Sequence, residues 1–154
     1  MTKLEVGNRA PAFTLLDQSG TKVALTALKG QPVVLYFYPK ADTPGCTTQS
    51  CEVRDHRTDL AKLGAAVFGI SPDTPAKLAK FDEKYGLGFP LLSDTEHVVA
   101  EKYGVWAEKS MYGRKYMGIV RSAFVIDAQG KLAGVFYKVS PKDTVPKVTA
   151  ALTT

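Results

Sequence analysis

The chain has 154 residues, 45% of them apolar and 23% charged, with a formal net charge of +5. This length predicts one domain, residues 1–154, large enough to bury a core and leave a concave site, and the balance excludes disordered, collagen-like and coiled-coil classes. The longest unbroken apolar run, Val33–Tyr38, is far short of the roughly 20 residues that cross a bilayer. Lys and Arg are scattered among acids without a basic run, so neither a membrane nor a nucleic-acid partner is expected.

The N-terminal stretch Met-Thr-Lys-Leu-Glu-Val-Gly-Asn lacks the apolar segment of a secretory signal, which points to the cytoplasm. Thiols stay reduced there. Two cysteines five positions apart, Cys46 and Cys51, therefore point to catalysis, redox sensing or metal rather than to a structural disulfide.

In chain order, a turn at Gln18-Ser19-Gly20 and the segment Leu25–Leu28 with Gly30 make a short N-terminal section. Val33–Tyr38, continuously apolar and aromatic, reads as a central strand covered on both faces. Pro39 ends it, having no N–H for a ladder bond. A helix follows to about Leu63, with Gly64 as its stop, and Ala65–Ile70 is a second buried strand. Thr74 as N-cap and Pro75 at the first helical position open a helix to about Tyr85, with Leu78 and Phe81 on one face.

Phe89–Leu92 reads as a short strand, and Asp94 or Thr95 as the cap of a helix toward Tyr103. Val105–Gly118, rich in Met, Tyr and Gly, reads as a loop and a candidate gate. Arg121–Ile126 and Lys131–Tyr137, joined by Asp127-Ala128-Gln129-Gly130, form a hairpin. A last helix starts near Pro141, with Val145 and Val148 inward. The order predicts an α/β, thioredoxin-like fold: a central mixed β-sheet flanked by helices.

The chemistry concentrates in Pro39-Lys40-Ala41-Asp42-Thr43-Pro44-Gly45-Cys46. Pro44 suits the first helical position, making Thr43 the N-cap and Cys46 the third helical residue. The Thr43 side-chain oxygen is then expected to accept from the N–H of Gly45 or Cys46. A sulfur in the first turn meets unpaired N–H groups and the positive end of the helix dipole, a setting that favours thiolate at neutral pH. The plainer reading of Cys46 is a small buried apolar residue; the Thr-Pro-Gly-Cys start after a buried strand favours the reactive one.

Cys51 lies about 140° around and about 7.5 Å along an intact helix from Cys46. The Cα atoms would be about 8.7 Å apart, beyond the roughly 7 Å that a disulfide tolerates. If Cys46 becomes a sulfenic acid, Cys51 condenses with it only after local unwinding. Thr47–Ser50 is all polar, so little packing is expected to resist. The alternative for Cys51 is an ordinary half-buried helix residue.

Cys46, Cys51 and His56 recur at steps of five, but such steps make the side chains diverge, so no metal is expected. His56 and His97 read as surface residues. Arg121, at the start of a strand, either marks the sheet edge or stands beside the thiolate and holds it ionised.

These residues resemble a family. Tyr36-Phe37-Tyr38-Pro39-Lys40-Ala41-Asp42-Thr43-Pro44-Gly45-Cys46-Thr47 is similar to the Pro-x-x-x-Thr-x-x-Cys signature of peroxiredoxins, and the Cys-x4-Cys spacing to their bacterioferritin comigratory protein (peroxiredoxin Q) branch. Gly7–Phe13, Gly69–Asp73, Phe89–Asp94 and Gly118–Ser122 extend the resemblance over nearly the whole chain. It implies a thioredoxin-like fold and a peroxidase of hydrogen peroxide and organic hydroperoxides without a bound cofactor. Cys46 would be the peroxidatic cysteine, Thr43 a hydrogen-bond partner of thiolate and peroxide, Pro39 a shield against water, and Arg121 the activator of sulfur and O–O bond. Cys51 would be the resolving cysteine, with thioredoxin or glutaredoxin as reductant and a monomer or weak dimer as the state. The alternatives are a protein thiol–disulfide oxidoreductase, which would ordinarily want Cys-x-x-Cys, and a non-enzymatic binding module.

Overall fold

The computed structural model describes residues 3–153. Nine strands and five α-helices follow in chain order among them: β1 (Thr14–Asp17), β2 (Lys22–Ala24), β3 (Val33–Phe37), α1 (Pro44–Asp55), α2 (Arg57–Lys62), β4 (Ala66–Ser71), α3 (Pro75–Tyr85), β5 (Leu91–Ser93), α4 (Val98–Lys102), β6 (Trp106–Met111), β7 (Arg114–Ile119), β8 (Ser122–Ile126), β9 (Leu132–Phe136) and α5 (Thr144–Leu152). Seven strands form a mixed sheet in the order β2-β1-β5-β4-β3-β8-β9, and β6 and β7 form a separate hairpin. This is the thioredoxin-like α/β arrangement that the element order predicts.

β3 is the axis of the sheet, parallel to β4 on one side and antiparallel to β8 on the other. Every residue of it is buried, because both faces are covered. The two-residue period of a strand splits its side chains between two cores. Val33, Leu35 and Phe37 join Phe13, Leu25, Val99 and Tyr103 on one face. Val34 and Tyr36, with Tyr38 just beyond the strand, join Cys46 and Val53 of α1, Phe81 of α3 and Val148 of α5 on the other. Burying side chains of this size contributes about 1.5–3 kcal/mol each, so the end of β3 that feeds the Cys46 loop is firmly anchored.

Several boundaries differ from the sequence reading. The long helix breaks at His56 into α1 and α2. The short fifth strand is Leu91–Ser93, and β1 and β2, which pair across the Gln18-Ser19-Gly20 turn, carried too little apolar alternation to be read. The last helix begins at Thr144 rather than Pro141. α4 begins after His97, yet Asp94 does serve its start, its carboxylate accepting from the N–H groups of Val99 and Ala100 at 3.3 and 2.9 Å.

The largest difference is Val105–Gly118, which is a β-hairpin rather than a loop. β6 and β7 pair in register from Trp106–Ile119 to Met111–Arg114. Their two-residue turn, Tyr112 and Gly113, has positive φ at both positions (51° and 78°), the geometry that matches strand twist. Most of the hairpin is exposed, including Met111, Tyr112, Tyr116 and Met117. Burial is confined mainly to its base, at Trp106 and Ile119, so no alternation along the strands betrays them.

Candidate active site

The site forms where β3, β8 and α1 come together. Phe37 of β3 lies opposite Ser122 of β8, so Arg121, one residue earlier, leaves the sheet at the end where Tyr38 and Pro39 leave β3. The backbone carbonyl of Arg121 is held by the N–H of Val139 at 2.9 Å. Its Nη2 donates to the Sγ of Cys46 at 3.5 Å, and its Nη1 to the Oε1 of Gln49 at 2.8 Å. The guanidinium thus lies beside the sulfur, and Arg121 also stands at the edge of β8.

Cys46 is only 1% exposed and, as expected, the third residue of α1, with Pro44 first. Gly45 makes the contact with Arg121 possible: a Cβ there would lie 2.9 Å from Nη2. Thr43 is the N-cap residue by position, but its side chain does not cap. The hydroxyl turns back and donates to the carbonyl of Lys40 at 2.8 Å, which corrects the expectation that it would accept from Gly45 or Cys46. The first helical bond is made by backbone alone, from the N–H of Thr47 to the carbonyl of Thr43 at 2.8 Å. Pro39 is half-buried, two residues beyond the end of β3.

Cys51 is half-buried in the same unbroken helix, and both cysteines are free. The expectation that Thr47–Ser50 resists unwinding little is corrected. Gln49 and Ser50 are fully buried. Gln49 accepts from Arg121 and donates through Nε2 to the Oγ1 of Thr144 at 2.9 Å, and Thr144 in turn donates to the carbonyl of Ser140 at 3.0 Å. Ser50 pairs with the Tyr36 hydroxyl at 2.9 Å. α1 is thus tied to Arg121 just before β8, to α5 and to β3 through Gln49 and Ser50.

The aromatic wall is neutral. Tyr36 and Tyr38 stack with centroids 5.5 Å apart. Burial pushes both hydroxyls far above the ordinary tyrosine range, in Tyr36 against the smaller opposing effect of the Ser50 hydrogen bond. Lys109 on β6 adds a second cation within electrostatic reach of Cys46. Burial, and after it the neighbouring Arg121, lowers its pKa, while Cys46 acts the other way.

Gln49, Thr144 and Lys109 were missed from the sequence. The one available signal was that Gln49 lies three residues after Cys46 and so shares its helix face. His56 and His97 stay apart from the sulfur: His56 Nδ1 bonds the Glu52 carbonyl at 2.8 Å, and His97 stacks on Trp106 at 3.9 Å. Among the described residues no group of three or more His, Cys, Asp or Glu side chains could hold a metal ion.

A buried cysteine at a helix start, with an arginine on its sulfur and a second cysteine on the same helix, defines a thiol-based redox site on a thioredoxin-like fold. Comparison with known proteins agrees. The model of the AhpC/TSA family matches residues 6–135. Peroxiredoxin Bcp of Escherichia coli is 54% identical over 136 residues, covering 88% of this chain and 87% of the relative. That of Bacillus subtilis is 46% identical over 149 residues, covering 97% and 95%. The bacterioferritin comigratory protein of Xanthomonas campestris, a structure concerned with its alkyl peroxide reduction activity, superposes with a TM-score of 0.89 at 33% identity over 97% of this chain and 98% of that one. Peroxidoxin BcpB of Mycobacterium tuberculosis gives 0.87 at 38% identity, covering 97% of each chain. The chain belongs to the AhpC/TSA family and, within it, to the bacterioferritin comigratory protein branch of the peroxiredoxins, which are thiol-dependent peroxidases.

Proposed function

We propose that the chain reduces hydrogen peroxide and organic hydroperoxides through a Cys46 sulfenic acid that Cys51 resolves as an intramolecular disulfide. The observation that carries this reading is the Arg121 guanidinium, 3.5 Å from the Cys46 sulfur. The thiolate attacks the terminal peroxide oxygen, the S–O bond forms as the O–O bond breaks, and the leaving oxygen departs with a proton as water or alcohol. Arg121 donates to the oxygens as charge develops, from a position fixed by Gln49, which lowers the barrier without reorganisation at the moment of reaction. Thr43 takes the other side of the peroxide, and Pro39 keeps water from the sulfur.

Resolution requires α1 to open, because standard helix geometry holds the Cα atoms of Cys46 and Cys51 about 8.7 Å apart. The bonds lost are Ser50 to Tyr36 and Gln49 to Arg121 and Thr144. At about 1 kcal/mol each these side-chain bonds add about 3 kcal/mol to the cost of opening, beyond the backbone bonds of the helix itself. The helix therefore holds Cys46 placed for peroxide and opens only locally and transiently. The Cys51 thiol then displaces the sulfenic oxygen as water, and a dithiol protein, thioredoxin or glutaredoxin, reduces the disulfide. The enzyme works this way in the cytoplasm as a monomer or weak dimer.

The test is peroxide consumption by wild type, Cys46→Ser and Cys51→Ser with thioredoxin, its reductase and NADPH. Wild type should turn over, Cys46→Ser should not react, and Cys51→Ser should oxidise once. Normal turnover by Cys51→Ser would show Cys46 to be reduced directly by an external thiol.

A further inference from the structure

The exposed face of α3 carries Lys77, Lys80 and Lys84 at spacings of three and four, so they form one stripe along the helix. Together with Lys40 they border a depression of about 440 Å³ whose two carboxylates are Asp42 and Asp73. Both carboxylates are already engaged. Asp42 accepts from Lys84 Nζ at 2.9 Å and from the Tyr85 hydroxyl at 2.6 Å. Asp73, only 8% exposed, accepts from the Ala41 N–H and the Ser71 hydroxyl at 2.7 and 2.8 Å. Among the described residues the only ion pair in this cluster is that of Lys84 with Asp42, which leaves Lys40, Lys77 and Lys80 without acidic partners.

The position of this stripe matters as much as its charge. Lys40 sits on the segment between β3 and α1 that leads directly to Cys46. Asp42 on the same segment is clamped to the end of α3 by Lys84 and Tyr85. Arg54, three residues after Cys51 on α1, donates through Nη1 to the Tyr85 carbonyl at 2.6 Å. The cationic face therefore borders the helix that holds both cysteines, on the side where Cys51 and Tyr85 pack into one core.

We propose that Lys40, Lys77, Lys80 and Lys84 are the docking surface for the protein dithiol that re-reduces the enzyme, and that this partner presents acidic side chains around its active-site cysteines. The inference rests on the reading of Cys46 and Cys51 as a disulfide-forming pair. A partner thiolate must attack one sulfur of that disulfide and release the other as thiolate. The partner's second thiolate then attacks the partner sulfur of the mixed disulfide and expels the enzyme sulfur as thiolate. Two electrons pass to the enzyme and the partner leaves as a disulfide. The attack needs the partner's surface against α1 and its surroundings, where the unpaired cations would steer an acidic face into register.

The experiment compares full-length wild type with Lys77→Glu/Lys80→Glu, using hydrogen peroxide and two reductants: an acidic thioredoxin with its reductase and NADPH, or dithiothreitol. With thioredoxin, charge reversal should raise KM for the reductant about tenfold and leave kcat near wild type. The wild-type KM should itself rise with salt, as exposed charge pairs are screened. With dithiothreitol the two proteins should run equally. A thioredoxin KM unchanged by the substitutions would overturn the docking inference. Failure of wild type with dithiothreitol would instead strike at the cysteine-pair reading. If the reversed variant lost its dithiothreitol activity, the neutral Lys77→Gln/Lys80→Gln protein would replace it, with an expected thioredoxin KM increase of about threefold.

Discussion

α1 and α3 both start with Thr-Pro, and the same dipeptide does different work in each. At α3 the Thr74 oxygen accepts from the N–H of Lys77 at 3.3 Å and the start is capped within itself. At α1 the Thr43 hydroxyl turns away to the Lys40 carbonyl and the first-turn N–H groups receive no side-chain cap. α3 is therefore a finished structural helix. α1 keeps an anion-ready start directly under Cys46, with a guanidinium brought in from another strand. A cap used for stability is unavailable to a substrate, and the helix that carries Cys46 is the less complete one.

The largest effect expected from breaking this contrast is at Arg121. Arg121→Met should lower kcat/KM for peroxide by about 10²–10³, the usual loss on removing a preorganised donor. Stopped-flow oxidation of Cys46 would measure it, and a loss below about threefold would remove Arg121 from the chemistry.

Gly45→Ala comes next, because its Cβ would stand 2.9 Å from Arg121 Nη2. Displacing the guanidinium should reduce kcat/KM by about ten- to a hundredfold with little change in Tm, since misplacement of about 1 Å costs on that order.

The two threonines sharpen the comparison directly. Thr74→Ala should lower stability by about 1 kcal/mol in a denaturant titration and leave peroxide reduction alone. Thr43→Ala should do the reverse, lowering kcat/KM about tenfold with a stability loss below about 0.5 kcal/mol. Equal stability losses at both sites would mean that Thr43 caps α1 in solution.

The smallest effect concerns Lys109. Its pKa is lowered, chiefly by burial, so as pH rises it sheds its proton before an ordinary lysine does. Its charge therefore fades on the alkaline side earlier than an ordinary lysine's does. Wild-type kcat/KM should fall about two- to threefold there, and Lys109→Arg, which keeps its charge, should hold its rate. Identical alkaline profiles would argue that Lys109 is only a packing residue.

What could be read in advance was local. The run Val33–Tyr38 announced a strand buried on both faces, and Pro44 fixed Cys46 as the third residue of a helix, because these features depend on burial and on one ring's φ. The spacing of Cys46 and Cys51 also sufficed to say that an intact helix keeps them apart. The hairpin β6–β7 was illegible because its strands bury almost nothing, and strand patterning exists only where one face is covered.

The sequence by itself determined the place of Cys46 at a helix start and its separation from Cys51, since each follows from chain geometry within a dozen residues. Tertiary structure decided the rest. Arg121 meets Cys46 across 75 positions only because β3 and β8 pair Phe37 with Ser122. Gln49 became the brace between Arg121 and Thr144 rather than a solvated polar residue because α1 lies against both the sheet and α5. Thr43 faced two acceptable hydrogen bonds, and only the path of the loop from Lys40 chose between them. Spacing along a helix is set by covalent geometry, whereas contact between distant residues is set by register and packing, which no single segment contains.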